Sequence, residues 1–370
     1  MNDTTLKQWT ADELLAELRR RERSLAAKAA GTGRSRVATA PAPGRAGALE
    51  KRSSAELAKL AQDRQRVIYG VDNRKDIYQV KSAKGLAAAK TVVALVKAAD
   101  LTQEADGSYT LTAQRYGDAY QLCGSEPFVG QPLGCFCSGF LVAPDVVATA
   151  GHCVKSAADL RNIRFVFGFR MLDAERARTR FPADDVYEGT SLIGSQLTAD
   201  GVDWALVRLA RAVVGRKPVK FRTTGKIAAT QSLFVIGHPC GLPQKYAPGA
   251  KVRDNTPAPF FVANLDTYGG NSGSPVFNAG TSTVEGILVR GENDFVSNGQ
   301  CYVSLVCPTT GCRGEDVTRA TVWSGKLPNT TARAVAGATV KKRSNTGQKP
   351  ARSAAAQRSR SGGRKPSRMR

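Results

Sequence analysis

Histidine is scarce in this sequence: His152 and His238 are the two present among 370 residues. Chemistry that needs an imidazole base therefore has two candidates. Apolar runs of the about eighteen residues needed for a membrane-spanning helix are also missing, so the sequence offers no transmembrane segment. The first thirty residues, "MNDTTLKQWTADELLAELRRRERSLAAKAA", contain no continuous apolar core of signal-peptide type. None of the eight cysteines stands in C-x-x-C spacing, which argues against a structural metal site. No cofactor is expected.

Acidic residues are missing from the end of the chain. From Lys326 onward there are five lysines and eight arginines, 13 in all, and no Asp or Glu, more than half of the net charge of +23. Low hydrophobicity with charge of one sign predicts a disordered basic tail over 326–370. Such a tail either attaches to a polyanion (nucleic acid, acidic lipid or cell-wall polymer), with affinity that falls steeply in salt, or is simply solvated. It has no aromatic residue, so base stacking finds no support.

Residues 1–66 read differently again. "WTADELLAELRRRERSLAAKAA" has Thr10 as a candidate cap, Glu13 three residues on, and apolar residues at helical spacing. "GTGRSRVATAPAPGRAG" reads as a linker and "SSAELAKLAQDRQR" as a second helix, giving a basic helical leader with an interaction or solubility role. Residues 67–325 hold short apolar segments such as "RFVFGFR", "SLFVIGHP", "SPVFNAG" and "TVEGILVRG", broken by Gly, Pro and Asp. Many short strands without alternating long helices predict an all-β, antiparallel domain.

Within it, "DTYGGNSGSPVFN" (Asp266 to Asn278) packs small residues around Ser272. The stretch is either a tight turn or a loop that points backbone N–H groups at one spot beside a nucleophilic hydroxyl. A nucleophile needs a histidine base and a carboxylate to orient it. His238 lies in "FVIGHPCGLP", at the end of an apolar run. His152 lies in "FLVAPDVVATAGHCVKS", just past two short strands joined at "APD" and next to Cys153, where a rigid scaffold can present a side chain.

"TAGHC" (Thr149 to Cys153) and "GNSGSP" (Gly270 to Pro275), in that order, resemble the two signature motifs of the chymotrypsin-like serine proteases. The Asn before the serine and the "GSP" after it resemble the bacterial glutamyl-endopeptidase-like branch. Between the motifs, "GVDWALVRL" is similar to the family's D-x-A-L-x-x-L element and nominates Asp203 over Asp184, Asp185 and Asp200, which sit in polar loop contexts. The order His152, Asp203, Ser272 is that of chymotrypsin-like enzymes. The resemblance implies two six-stranded antiparallel barrels with the site between them. It implies a serine endopeptidase acting on polypeptides as a monomer, with catalytic His152, Asp203 and Ser272 and an oxyanion hole from the N–H groups of Gly270 and Ser272. It also implies a disulfide between Cys137 and Cys153. The pairing of Cys123, Cys135, Cys240, Cys301, Cys307 and Cys312 stays open.

The same resemblance frames processing and specificity. "VIYGVDNRKDIYQV" from Val67 resembles the mature amino-terminus of that branch, which nominates Arg66 as a cleavage point. Trypsin-type activation buries the new amino group against an aspartate before the nucleophile; Asn271 stands there instead. Asp266, six residues before Ser272, corresponds to the floor of the trypsin-like pocket, where it would favour Arg or Lys, or else it caps a loop and points away. Thr267 suits a glutamate-binding pocket, but Leu288 stands where glutamyl endopeptidases carry a histidine, which disfavours glutamate. Val289, Arg290 and Gly291 align with the edge that pairs with substrate backbone, and Arg290, in place of an aromatic, would favour acidic residues further along the substrate. Two competing readings share these residues: a silent protease-fold protein that binds polyanions or partner proteins, and a non-peptide esterase or acyltransferase. An even cysteine count suggests a secreted or periplasmic destination, the missing export signal opposes it, and the compartment stays open.

Overall fold

Segments that are apolar at successive positions must bury both faces, and two packed barrels achieve this. The computed structural model describes residues 68–328, apart from 199, 292 and 293. The expected leader, the Arg66–Val67 junction and the basic tail beyond residue 328 lie outside the described residues.

The first barrel comprises β1 (Val92–Lys97), β2 (Cys137–Ala143), β3 (Val146–Thr149), β4 (Ile163–Phe167), β5 (Val186–Leu197) and β6 (Asp203–Leu209). They run in the order β4-β5-β6-β3-β2-β1, and antiparallel pairing of β1 with β4 closes the ring. The second comprises β7 (Ser232–Gly237), β8 (Lys245–Asp254), β9 (Phe260–Ala263), β10 (Pro275–Asn278), β11 (Val284–Arg290) and β12 (Glu315–Arg319). Its order is β7-β10-β11-β12-β9-β8, closed by β7 pairing with β8. The all-β antiparallel fold is the one the strand pattern predicted, its two six-stranded barrels are those the resemblance implied, and the segments quoted above supply β4, β7, β10 and β11. Helices are few and short among the described residues: α1 (Ala83–Ala89), α2 (Tyr116–Tyr120) and α3 (Ala320–Trp323).

Side-chain alternation explains the continuous apolar runs. On β7, Leu233 and Val235 join Val252, Phe261, Val276, Leu288 and Val317 inside the second barrel, while Phe234 and Ile236 face a cluster shared with first-barrel residues such as Phe140 and Val147. On β1, Val93 and Leu95 enter that shared cluster, and Ala94 and Val96 pack with Phe169 and Phe181 on the other side. A period of two puts successive residues on opposite faces, and here both are covered. Two register shifts, between Gly189 and Ser191 and between Leu192 and Gly194, let the long β5 bend along β6.

The segment after residue 67 is fastened to the second barrel. Ile68–Tyr69 pairs in parallel with Val306–Cys307, and Lys75–Asp76 adds to the edge of β8. Buried Lys245 bridges Asp76 (Nζ–Oδ1 2.5 Å) and Gln131 (2.6 Å). Burial lowers the Lys245 ammonium to about 8, and Asp76 opposes the shift. Disulfides join Cys123 to Cys301, Cys137 to Cys153 and Cys307 to Cys312, and Cys135 and Cys240 carry free thiols.

At the end of the second barrel, α3 turns Trp323 back onto the first. Its ring lies 5.9 Å from Phe140 and 5.0 Å from Phe221, fully buried. Trp323→Ala is expected to cost about 3–5 kcal/mol by cavity formation; urea unfolding of the variant, compared with wild type at one temperature, measures it.

Candidate active site

β3 ends at Thr149, and the chain turns through a single 3-10 turn, Gly151–Cys153, that carries His152. β6 lies beside β3, with Ala205 opposite Thr149, so its first residue, Asp203, projects beneath that turn. The Asp203 carboxylate is fully buried and surrounded by donors. Oδ1 accepts the N–H groups of Gly151 (2.6 Å) and His152 (3.2 Å), and Oδ2 lies 2.7 Å from His152 Nδ1. Burial alone would raise the Asp203 carboxyl. The opposing His152, its hydrogen bonds and the nearby Arg290 guanidinium outweigh burial and hold it below the ordinary aspartate value. An ionised carboxylate only accepts, so His152 Nδ1 carries the hydrogen and Nε2 is left as the acceptor of the neutral ring. Gly151 is required here: a Cβ would come within 2.6 Å of the Gln196 carbonyl and 2.9 Å of that of Trp204.

The Ser272 loop comes from the second barrel, between β9 and β10. Tyr268 to Asn271 form a tight turn in which the Asn271 N–H donates to the Tyr268 carbonyl at 3.0 Å. Gly270, third in that turn, sits at φ +80°, the arrangement of a turn that needs glycine there. A Cβ on Gly270 would also meet the His238 carbonyl at 2.6 Å. Ser272 is docked on the first barrel: Ser138 N–H donates to its carbonyl at 2.8 Å, and the disulfide sulfur of Cys153, the neighbour of His152, lies 3.8 Å from that oxygen. The structure thus brings together the loop of Ser272, the turn of His152 and the start of β6 at Asp203.

Several contributors have no local sequence signal. Ser138 Oγ donates to the Gly270 carbonyl (2.8 Å) and accepts the His238 N–H (3.0 Å), joining β2 to two turns of the second barrel. Thr318 Oγ1, on β12, accepts the Asp203 N–H at 3.3 Å. His238 itself is a core residue. Its Nδ1 donates to the Leu242 carbonyl (2.9 Å), and its ring stacks on Phe169.

The residues nominated for specificity separate into two groups. Thr267 Oγ1 donates to Glu315 Oε2 at 3.1 Å, close to Gly291. Asp266 has a different environment: its Oδ1 accepts the N–H of Tyr69 at 2.8 Å, and burial pushes its carboxyl up to about 6 against that bond. The carboxylate is committed to the segment after residue 67, the arrangement of the alternative in which Asp266 caps a loop. Arg290 is likewise engaged within the protein. Nε donates to Asp316 Oδ2 (3.1 Å) and Nη2 to the Gly201 carbonyl (2.9 Å), so the guanidinium is held by internal acceptors. Val289 and Leu288 are buried.

A family model described as trypsin-like peptidase domain matches residues 137–287. Residues 137–287 are similar to that family. A glutamyl endopeptidase of Bacillus licheniformis is 26% identical to this chain over 156 residues, which is 40% of the chain and 46% of that relative, a little under half its length. Among solved structures, the VesB protease of Vibrio cholerae is similar at 17% identity and a TM-score of 0.41, covering 70% of this chain and 66% of that one. The inactive form of the Rv3671c Ser343Ala mutant from M. tuberculosis is similar at 15% identity and a TM-score of 0.38, covering 74% and 100%.

Burial lowers His238 to about 4, with the Leu242 bond opposing the shift and the Lys245 charge adding to it. The unfolded imidazole titrates near 6.5, so the neutral ring's contribution is complete above that pH and is lost as pH falls through about 4. The loss is about 3 kcal/mol at most. Asp266 acts oppositely over a similar range, since its carboxyl is raised, so a difference measurement is needed. Unfolding titrations from pH 7 to 4 are expected to show a shallower loss of stability in His238→Gln than in wild type.

Proposed function

We propose that the chain is a serine endopeptidase that cuts peptide bonds by acyl transfer through Ser272, His152 and Asp203. The observation that carries this reading is the short contact of His152 Nδ1 with the buried Asp203 carboxylate, beside a glycine-bounded serine loop. Ser272 Oγ attacks the scissile carbonyl carbon while His152 Nε2 takes the hydroxyl proton. The same imidazolium then protonates the leaving amine, and the acyl-enzyme remains. Water attacks that ester, His152 takes its proton, and Ser272 recovers it as the acid product leaves. Asp203 keeps the proton on Nδ1 and stabilises the imidazolium by charge.

The N–H groups of Gly270 and Ser272 are the proposed donors to the developing oxyanion. One such donor is worth on the order of a hundred- to a thousand-fold in rate. Val289 to Gly291, at the end of β11, offer the backbone edge on which substrate adds as a strand. Such an edge supports a polypeptide substrate over a simple ester.

A fluorophosphonate probe is expected to label the wild-type chain, or a chain beginning at Val67, and to leave Ser272→Ala unlabelled. Asp203→Asn should lower kcat on a peptide amide by about ten-thousand-fold, since an amide in that position favours the wrong imidazole tautomer. No labelling in any folded, oxidised form would sink the reading, and labelling with turnover of simple esters alone would replace it with an esterase.

A further inference from the structure

The geometry points to Glu315 as the residue that selects the substrate side chain before the cut, favouring a cation of the lysine or arginine kind. This inference rests on the endopeptidase reading above.

Glu315 opens β12, immediately after Gly314, and its side chain is fully buried. Two groups fix where its carboxylate lies. Oε2 accepts the Thr267 hydroxyl at 3.1 Å, five residues before Ser272. On the other side, a Cβ built on Gly291 would fall 1.8 Å from Oε2 and 2.1 Å from Oε1, so the carboxylate packs directly over that glycine's Cα. Thr267 belongs to the loop that delivers the nucleophile, and Gly291 to the backbone edge proposed to pair with substrate. A side chain held between that loop and that edge therefore ends at Glu315.

The neighbouring acids have partners of their own, and Asp294 is engaged by the Ser272 loop, its Oδ2 accepting the Gly269 N–H at 2.9 Å. Asp316 pairs with Arg290 (3.1 Å) and Arg313 (2.6 Å), as strand alternation requires of the residue next to Glu315. Asp266, next to Thr267, accepts from Tyr69. Of the described acids near the Ser272 loop, Glu315 is the one that contacts both proposed pocket walls. In a site shielded from water, a carboxylate forms strong charge-assisted hydrogen bonds with an ammonium or guanidinium and repels an acidic side chain. Leu288, buried inside the barrel, supplies no compensating imidazole.

The test compares peptide amides that differ only in the residue before the cut, Lys, Arg, Leu or Glu, with fluorophosphonate labelling of every variant in parallel. Wild type is expected to favour Lys or Arg over Leu and Glu by on the order of a hundred-fold or more in kcat/KM. Glu315→Gln, similar in shape but uncharged, should label normally and lose most of that preference, whereas Asp266→Asn should keep the ratio. Labelling with an unchanged ratio in Glu315→Gln, or loss of the ratio in Asp266→Asn alone, would overturn the inference and leave the endopeptidase reading standing. Absence of labelling in wild type would overturn both. Wild type also tests it without any variant: benzamidine should compete with substrate at least about ten-fold better than its uncharged relative benzamide, and equal potency would overturn the assignment.

Discussion

A carboxylate with no contact with water has to be solvated entirely by the protein, and Asp203 sets that requirement for the whole site. Its oxygens receive two backbone N–H groups and one imidazole nitrogen, all from the turn at 151–152. Leaving such a charge underpaired would cost several kcal/mol, on the general scale of about 3–5 for a broken buried pair. The need to meet it explains features that look unrelated in sequence. Gly151 has no side chain because the carbonyls of Gln196 and Trp204 approach it. β3 and β6 keep their register because a slip by one residue would turn Asp203 to the opposite face.

The same constraint reaches across to the second barrel. Asp203 N–H ends on Thr318 of β12, and Arg290 of β11 sits near enough to lower the Asp203 carboxyl further. Ser138 makes the reciprocal link from the first barrel, through its N–H to the Ser272 carbonyl and its hydroxyl to the Gly270 carbonyl. Two rigid barrels are thereby held together by hydrogen bonds made beside the proposed reacting groups. Loops anchored at both ends in this way lose little freedom when substrate binds, which is what preorganised electrostatic stabilisation requires.

The parts legible in sequence are those with local or periodic signals. Strand runs such as "SLFVIGHP" and "TVEGILVRG" carry β-branched and aromatic residues bounded by glycine or proline, and they form β7 and β11. The turns of His152 and Ser272 were visible because small residues are packed at fixed spacing around each. Asp266 and Arg290 were harder. Their partners lie 197 residues away at Tyr69 and 89 residues away at Gly201, and no window of sequence contains both members. Glu315 left a faint trace, an acidic pair opening an otherwise strand-like "EDVTR", where burial of either acid demands a partner. Only the fold reveals that Thr267 answers it.

Tyr69 and Arg74 give the segment after residue 67 a role that does not depend on a chain end. Tyr69 contributes a backbone N–H to Asp266, and the Arg74 guanidinium, paired with Asp72, stacks 4.1 Å from the centre of the Tyr268 ring. Asp266 and Tyr268 flank Thr267 and lead into Gly270 and Ser272. The loop is therefore braced from behind by an internal amide and a cation–π contact. Trypsin-type enzymes obtain a comparable brace from a terminal amino group on the acid before the nucleophile, and Asn271 offers no such acid. Its side chain instead accepts from Ser274 (3.3 Å) within the loop. The burial that raises Asp266 also ties it to this segment: a carboxyl poorly solvated by water holds its backbone donors more tightly. Residues 68–76 and the Ser272 loop are thus packed together through Asp266 and Tyr268.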